Sequence, residues 1–153
     1  MELYYPTILP PTVEIPLISF KIPAGFPSPA ADYRETRIDL NKELLKNPAF
    51  TYFFYADGNS MEPVIRHGAL LIVDRRVEPA DGCIVLASVD NEFCVKYFYS
   101  HPDGSIELRP HNPEYKSIQL ADSFEGDFEI FGCVIYSVNG HIKNGSHSSN
   151  RLQ

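Results

Sequence analysis

The stretch Cys83-Ile84-Val85-Leu86-Ala87-Ser88-Val89-Asp90-Asn91-Glu92-Phe93-Cys94-Val95-Lys96-Tyr97-Phe98-Tyr99 decides the fold class. Two runs rich in β-branched, aliphatic and aromatic residues, 83–89 and 92–99, flank a short polar pair. Val89-Asp90-Asn91-Glu92 reads as a tight hairpin turn between two strands. In the second run Cys94, Lys96 and Phe98 share one face, and Phe93, Val95 and Tyr97 share the other. Both faces are apolar, so the spacing places Lys96 inside a buried-looking strand whichever way that strand turns.

Working outward, further short strands are predicted at 51–56, 69–74, 105–109, 117–120 and 128–138. Asp57-Gly58, His67-Gly68, Asp81-Gly82 and Asp103-Gly104 punctuate them as turns. Strands at roughly 8–12-residue spacing predict a mainly β fold, a compact and partly closed β-barrel-like domain. One short helix is expected at about 39–47. Asp39 suits its N-cap, Leu40, Leu44 and Leu45 share a face, and Pro48 stops it.

Residues 1–34 differ from the rest. Pro6, Pro10, Pro11, Pro16, Pro23, Pro27 and Pro29 are seven of the chain's 13 prolines, which predicts an extended N-terminal arm. Val13, Ile15 and Leu17 alternate, and Phe20 and Ile22 follow, so the arm is expected to lie on a folded surface. Residues 139–153 form a polar tail rich in Asn, Ser, Gly and His. No internal repeat is present.

The 153 residues suffice for one domain with an arm. A content of 44% hydrophobic and 22% charged residues excludes wholesale disorder. The net charge is −7, from 13 basic and 20 acidic residues, and Arg75-Arg76 is the densest basic cluster. A protein that grips duplex DNA by its phosphates needs a basic stripe, so no direct sequence-specific DNA binding is expected. No apolar run approaches about 18 residues, and Met1–Pro6 lacks the start of a signal peptide, so no membrane association is expected. Cys83, Cys94 and Cys133 form no CxxC pair. They read as buried free thiols in a reducing cytoplasm, with neither a disulfide framework nor a metal site. No cofactor is expected.

Two residues could carry chemistry together. In Gly58-Asn59-Ser60-Met61-Glu62-Pro63 a glycine turn follows a strand, and Ser60 sits where a helical turn could start. That geometry exposes a hydroxyl and turns backbone N–H groups outward, where they can stabilise an oxyanion. An arbitrary serine in this place more often only caps the turn. Lys96 is the second. A solvated lysine titrates near 10.4, but burial disfavours the cation and can lower that value by about 3–5 units. A lysine neutral near pH 7 can take the proton of a serine hydroxyl. A lone lysine in a strand more often snorkels to water. His67 is the histidine nearest to Ser60 in sequence and the alternative base, in the manner of a triad. Neither Gly-x-Ser-x-Gly nor a phosphate loop occurs.

Four stretches, in order over about residues 24–138, carry a resemblance to the UmuD-like branch of the LexA-like self-cleaving serine/lysine peptidases. They are Ala24-Gly25-Phe26-Pro27-Ser28-Pro29-Ala30-Ala31-Asp32-Tyr33 with Arg37-Ile38-Asp39-Leu40-Asn41, then Gly58-Asn59-Ser60-Met61 with 68–74. Gly82-Cys83-Ile84-Val85 through Phe93-Cys94-Val95-Lys96 is the third, and 108–115 with 130–135 the fourth. The resemblance implies that Ser60 is the nucleophile, Lys96 its general base and the Ser60 backbone N–H an oxyanion donor. It implies Ala24–Gly25 as the scissile bond. The corresponding organisation is a cleavable arm at 1–24, a linker with the short helix at 25–50, the peptidase domain at 51–138 and the tail at 139–153. The implied partners are a second copy in a homodimer, RecA filament on single-stranded DNA as activator, and a UmuC-type error-prone polymerase, in the cytoplasm. Many relatives carry Asp where this chain has Asn59, and an Asp-containing turn at Arg66-His67-Gly68, which bears on the shape of the cleft beside Ser60.

Other readings are a LexA-like or phage-type repressor fragment and a non-catalytic interaction module of the same fold. The repressor needs a DNA-binding domain, and the 24 residues before the implied cut are proline-rich with little positive charge. A type I signal peptidase shares the Ser/Lys chemistry but needs a membrane anchor.

Overall fold

The computed structural model describes residues 14–18, 24–25 and 35–142, with the side chains of Ile18 and Glu35 excepted. The remainder of the proline-rich arm and of the polar tail, and the readings made on them, lie outside the described residues. The chain divides into two compact units, Met1–Lys46 and Asn47–Gln153.

In the first unit β1 (Ile15–Ile18) pairs antiparallel with β2 (Glu35–Ile38), Ile15 opposite Ile38 and Leu17 opposite Thr36. The Arg37 guanidinium donates to the Glu14 carbonyl at 2.9 Å. Ile15 and Leu17 are 54% and 46% exposed, and their alternation serves a two-stranded ribbon. The helix is α1 (Leu40–Leu44), shorter than the expected 39–47. Asp39 caps it as anticipated, its carboxylate accepting from the Asn41 N–H at 2.9 Å. It stops at Leu45, which leaves the helical region at φ −97° and ψ 87°, and the residue before Pro48 is restricted to extended backbone and cannot resume it. Asn47 has φ −128° and ψ 71°, and Pro48 then opens a separate 3-10 turn, Pro48–Phe50. No residue of α1 is buried, so its leucine stripe covers no core.

The second unit holds one antiparallel sheet. Its strands are β3 (Thr51–Tyr55), β4 (Leu70–Asp74), β5 (Ile84–Val89), β6 (Glu92–Ser100), β7 (Ile106–Arg109), β8 (Ile118–Leu120) and β9 (Phe128–Val138). Their spatial order is β3-β4-β9-β5-β6-β7-β8. The mainly β class is as expected, and every predicted strand is present. The sheet does not close into a barrel, because β3 and β8 are left as edges. Asp90 and Asn91 both take positive φ, 49° and 65°, as a two-residue hairpin turn demands.

Apolar residues cover both faces. Val85 and Ala87 of β5 join Phe98, Leu108, Leu120 and Cys133 in one core. Leu86, between them, joins Met61, Ile65, Leu71 and Val73 in the other. The first core is built from the neighbouring strands β9, β5, β6, β7 and β8, with Phe124 of the loop between β8 and β9 packed against it. The second is closed by the loop between β3 and β4, which brings Met61 and Ile65. β9 runs through the centre and skips a pairing with each neighbour, between Ile72 and Val73 of β4 and between Leu86 and Ala87 of β5. Such bulges bend a strand and increase its twist. The three thiols are free, but only Cys133 is buried; Cys83 and Cys94 are half-buried, which corrects the expectation for those two.

Candidate active site

The loop from β3 to β4 is pinched at its base. The Ala56 N–H donates to the Ala69 carbonyl at 2.9 Å, and the Gly68 N–H donates to the Ala56 carbonyl at 2.8 Å. Gly58 enters the turn at φ 83°, a conformation that glycine adopts without strain. The Ile65 N–H bonds the Met61 carbonyl at 2.9 Å in a single helical turn, and the Glu62 N–H bonds the Asn59 carbonyl at 3.1 Å. Met61 and Ile65, 3% and 2% exposed, anchor that turn in the core. Ser60 therefore stands between an apolar anchor and a glycine turn, and its own N–H has no partner among the described residues.

Lys96 comes from β6, in the register that places it opposite Val85 of β5. Its Nζ lies 2.7 Å from Ser60 Oγ and 3.1 Å from the Val95 carbonyl. Only 9% of the residue is exposed. Burial pushes the amine below its ordinary value, and the neighbouring Cys94 thiol, on the same face of β6, opposes that shift. Burial also raises the Cys94 thiol above its usual value, while Lys96 draws it down. Cation burial with only a hydroxyl and a main-chain carbonyl as partners, and no carboxylate, favours the neutral amine. A neutral amine can accept the Ser60 proton while one of its own N–H bonds donates to the Val95 carbonyl.

The pair opens into a pocket of about 310 Å³, lined by Phe54, Tyr55, Leu71, Leu86, Phe93 and Cys94 among others. Phe54, Phe93 and Phe131 form an edge-to-face and tilted cluster beside it, with ring centroids 5.4–6.5 Å apart. An apolar wall of this kind keeps the dielectric low around the amine.

The two residues singled out in the sequence, 36 positions apart, thus meet. His67 does not fill the role of base in this geometry. Its Nδ1 lies 3.1 Å from the Gly58 N–H and 3.3 Å from the Asp57 carboxylate, whereas the amine at Ser60 belongs to Lys96. Ala24 and Gly25 lie in an exposed bend, and open space surrounds Gly25 where a Cβ would stand.

One residue of the site lies within the fourth block of resemblance, 108–115, but was given no role from the sequence. Asn112 donates its main-chain N–H to the Ser60 carbonyl at 3.0 Å and its side-chain amide to the Asn59 carbonyl at 3.2 Å. A single asparagine in a loop has no periodicity, and its partners lie more than 50 residues away. Its place in the block of resemblance at 108–115, between Pro110 and Pro113, was the available hint.

Residues 16–135 match the family model described as Peptidase S24-like. The chain belongs to that family. It is 42% identical over 120 residues to Protein SamA of Salmonella typhimurium, covering 78% of this chain and 81% of the relative. It is 38% identical over 125 residues to Protein ImpA of Escherichia coli, covering 81% and 83%. To the LexA repressor of Photorhabdus laumondii it is 32% identical over 135 residues, covering 88% of this chain and 63% of the relative. The resemblance carried by the four sequence blocks is thereby confirmed at the level of the family. Among the described residues no helix is long and apolar enough to cross a membrane.

Proposed function

We propose that this chain is a self-cleaving serine endopeptidase of the SOS response in which Ser60 and Lys96 form the reacting pair. The single observation that carries the reading is the 2.7 Å contact between Ser60 Oγ and a lysine that is 91% removed from solvent. Family membership supports the reaction class.

In this scheme the neutral Lys96 amine takes the Ser60 proton as Oγ attacks the Ala24 carbonyl carbon. The Ser60 N–H donates to the oxyanion that develops. Collapse breaks the Ala24–Gly25 bond, and the Lys96 ammonium returns its proton to the departing Gly25 nitrogen. Water then attacks the ester carbonyl carbon, giving a proton to Lys96; the bond from that carbon to Ser60 Oγ breaks, the Ala24 carboxylate is released, and the Lys96 ammonium returns the proton to Ser60 Oγ. Ala24 and Gly25 carry minimal side chains, which suits a narrow cleft, and Pro23 and Pro27 flank them in the sequence. The substrate is part of the protein, so local concentration and not affinity sets encounter.

RecA filament on single-stranded DNA is the proposed trigger, and the product beginning at Gly25 is the proposed accessory subunit of a UmuC-type error-prone polymerase in the cytoplasm. The unpaired edges β3 and β8 offer surfaces for a homodimer. Loss of residues 1–24 removes Glu2, Glu14 and Lys21, changing the net charge only from −7 to −6. The switch is therefore an uncovered surface and not a change of field.

The experiment is incubation of the intact chain with RecA, single-stranded DNA and a nucleoside triphosphate, followed by mass measurement. A fragment starting at Gly25 is expected, and Ser60→Ala and Lys96→Ala should each reduce its formation at least about 10³-fold while the fold survives. Without RecA, the rate should climb about tenfold per pH unit and level off below 10.5, because only the neutral amine is a base and burial lowers its titration. A rate that shows no rise anywhere between about pH 5 and 10 would remove Lys96 from the role.

A further inference from the structure

Ser60 stands on a turn between β3 and β4, and turns drift more readily than strands. Lys96 stands on a central strand. A 2.7 Å contact between the two needs something to hold the turn at a fixed height above the sheet. We propose that Asn112 is the positioning residue that does this, with the Tyr97–His111 pair fixing Asn112 to the strand that carries Lys96. The inference rests on the reading of Ser60 and Lys96 as the reacting pair.

Every polar group of Asn112 is engaged. Its main-chain N–H and its side-chain amide hold two successive carbonyls of the nucleophile turn, Ser60 at 3.0 Å and Asn59 at 3.2 Å. Its Oδ1 accepts from the Glu114 N–H at 3.0 Å, and its carbonyl accepts from the Tyr115 N–H at 3.1 Å. The first two bonds reach the Ser60 turn; the other two stiffen Asn112's own loop. Next to it, His111 Nδ1 lies 3.0 Å from the Tyr97 hydroxyl, with the two rings 5.8 Å apart. Tyr97 directly follows Lys96 in β6. The path Ser60, Lys96, Tyr97, His111, Asn112 and back to Ser60 is therefore a closed circuit of contacts and chain neighbours. One strand holds the base directly and the nucleophile through the loop. With Nδ2 on the Asn59 carbonyl and Oδ1 on the Glu114 N–H, the side chain must donate on one side and accept on the other. An amide of this length does both; a carboxylate does only the second.

Asn112→Asp separates this role from simple capping of the 110–115 loop. Aspartate keeps the acceptor for the Glu114 N–H and loses the donor to Asn59. Self-cleavage of the full chain is followed across pH, together with thermal unfolding and amide hydrogen exchange of the peptide covering 58–62. The expected result is a plateau rate about 10–100-fold below that of the parent, read above the inflection so that an altered Lys96 titration does not enter. Thermal unfolding should move by no more than a few degrees, and exchange at 58–62 should be faster. Asn112→Ala, which loses both side-chain bonds, should fall at least as far, while Asn112→Gln should not restore the rate, because its longer arm displaces the donor. Parent-like cleavage and parent-like exchange in Asn112→Asp would overturn the proposal, as would a lowered rate with unchanged exchange. If the parent itself does not cleave, the reading of Ser60 and Lys96 fails, and the exchange at 58–62 by itself decides whether Asn112 holds the turn.

Discussion

Lys96 is the residue at which stability and the proposed activity pull against each other. Burial holds its amine below the usual lysine value. Between that lowered value and 10.5 the unfolded chain binds one more proton than the folded one, so the protein should gain stability as pH rises through this window. Below the window the folded state carries a desolvated cation. Lys96→Met removes the charge and keeps the bulk. It should be more stable than the parent near neutral pH by about 1 kcal/mol, with the gap closing as pH approaches 10.5, as chemical denaturation at two pH values would read. It should also be inactive. The legibility of the site divides at the same scale. Ser60 and Lys96 stood out in the sequence, one at a glycine turn and the other as a charge in an apolar strand, but it was the resemblance of the four sequence blocks, not those local patterns, that paired them. Asn112 breaks no pattern, since a polar residue between two prolines is what any loop contains. Its importance lies in two carbonyls that only the folded chain brings near.

The strands of the main sheet were readable because each is apolar and ends at a turn signal. β2 was not, because Glu35-Thr36-Arg37-Ile38 offers one apolar residue and no alternation, and it is a strand only because β1 pairs with it. The bulges of β9 were hidden for a related reason, since they depend on what the neighbouring strands do. Gly132 shows this. A Cβ there would come within 2.8 Å of the Asp74 carbonyl and 2.9 Å of a Val73 methyl group, so β9 and β4 approach as closely as they do only because the position is glycine. Gly132→Ala should lower stability by about 1–3 kcal/mol, measured by urea unfolding. On β7, Glu107 is 8% exposed and receives the Arg109 guanidinium in two bonds of 2.9 and 3.0 Å. The guanidinium chiefly holds its carboxyl down to about 2, helped by Ser117 and His101 and opposed by burial. This stabilisation is present above the ordinary value of 4.5 and is lost as pH falls toward 2. Glu107→Gln should therefore be less stable than the parent at pH 7 by about 1–3 kcal/mol, and the difference should shrink on acidification.

For the molecule as a whole, the two units behave differently as substrates of the proposed reaction. Among the described residues, the two apolar cores of the second unit are built from residues 54–134. Removal of residues 1–24 should leave that unit's unfolding transition within a few degrees of that of the intact chain, as calorimetry of the Ser60→Ala protein and of the product would show. The first unit cannot be so indifferent, because β1 lies upstream of the Ala24–Gly25 bond and β2 downstream of it. Hydrolysis would turn an internal pair of strands into a non-covalent one held by four residues on each side, too few to survive dilution. Once the short fragment drifts away, Glu35–Ile38 is left with bare amides and carbonyls facing outward. The severed chain would then carry an adhesive backbone seam that its precursor kept sealed against itself.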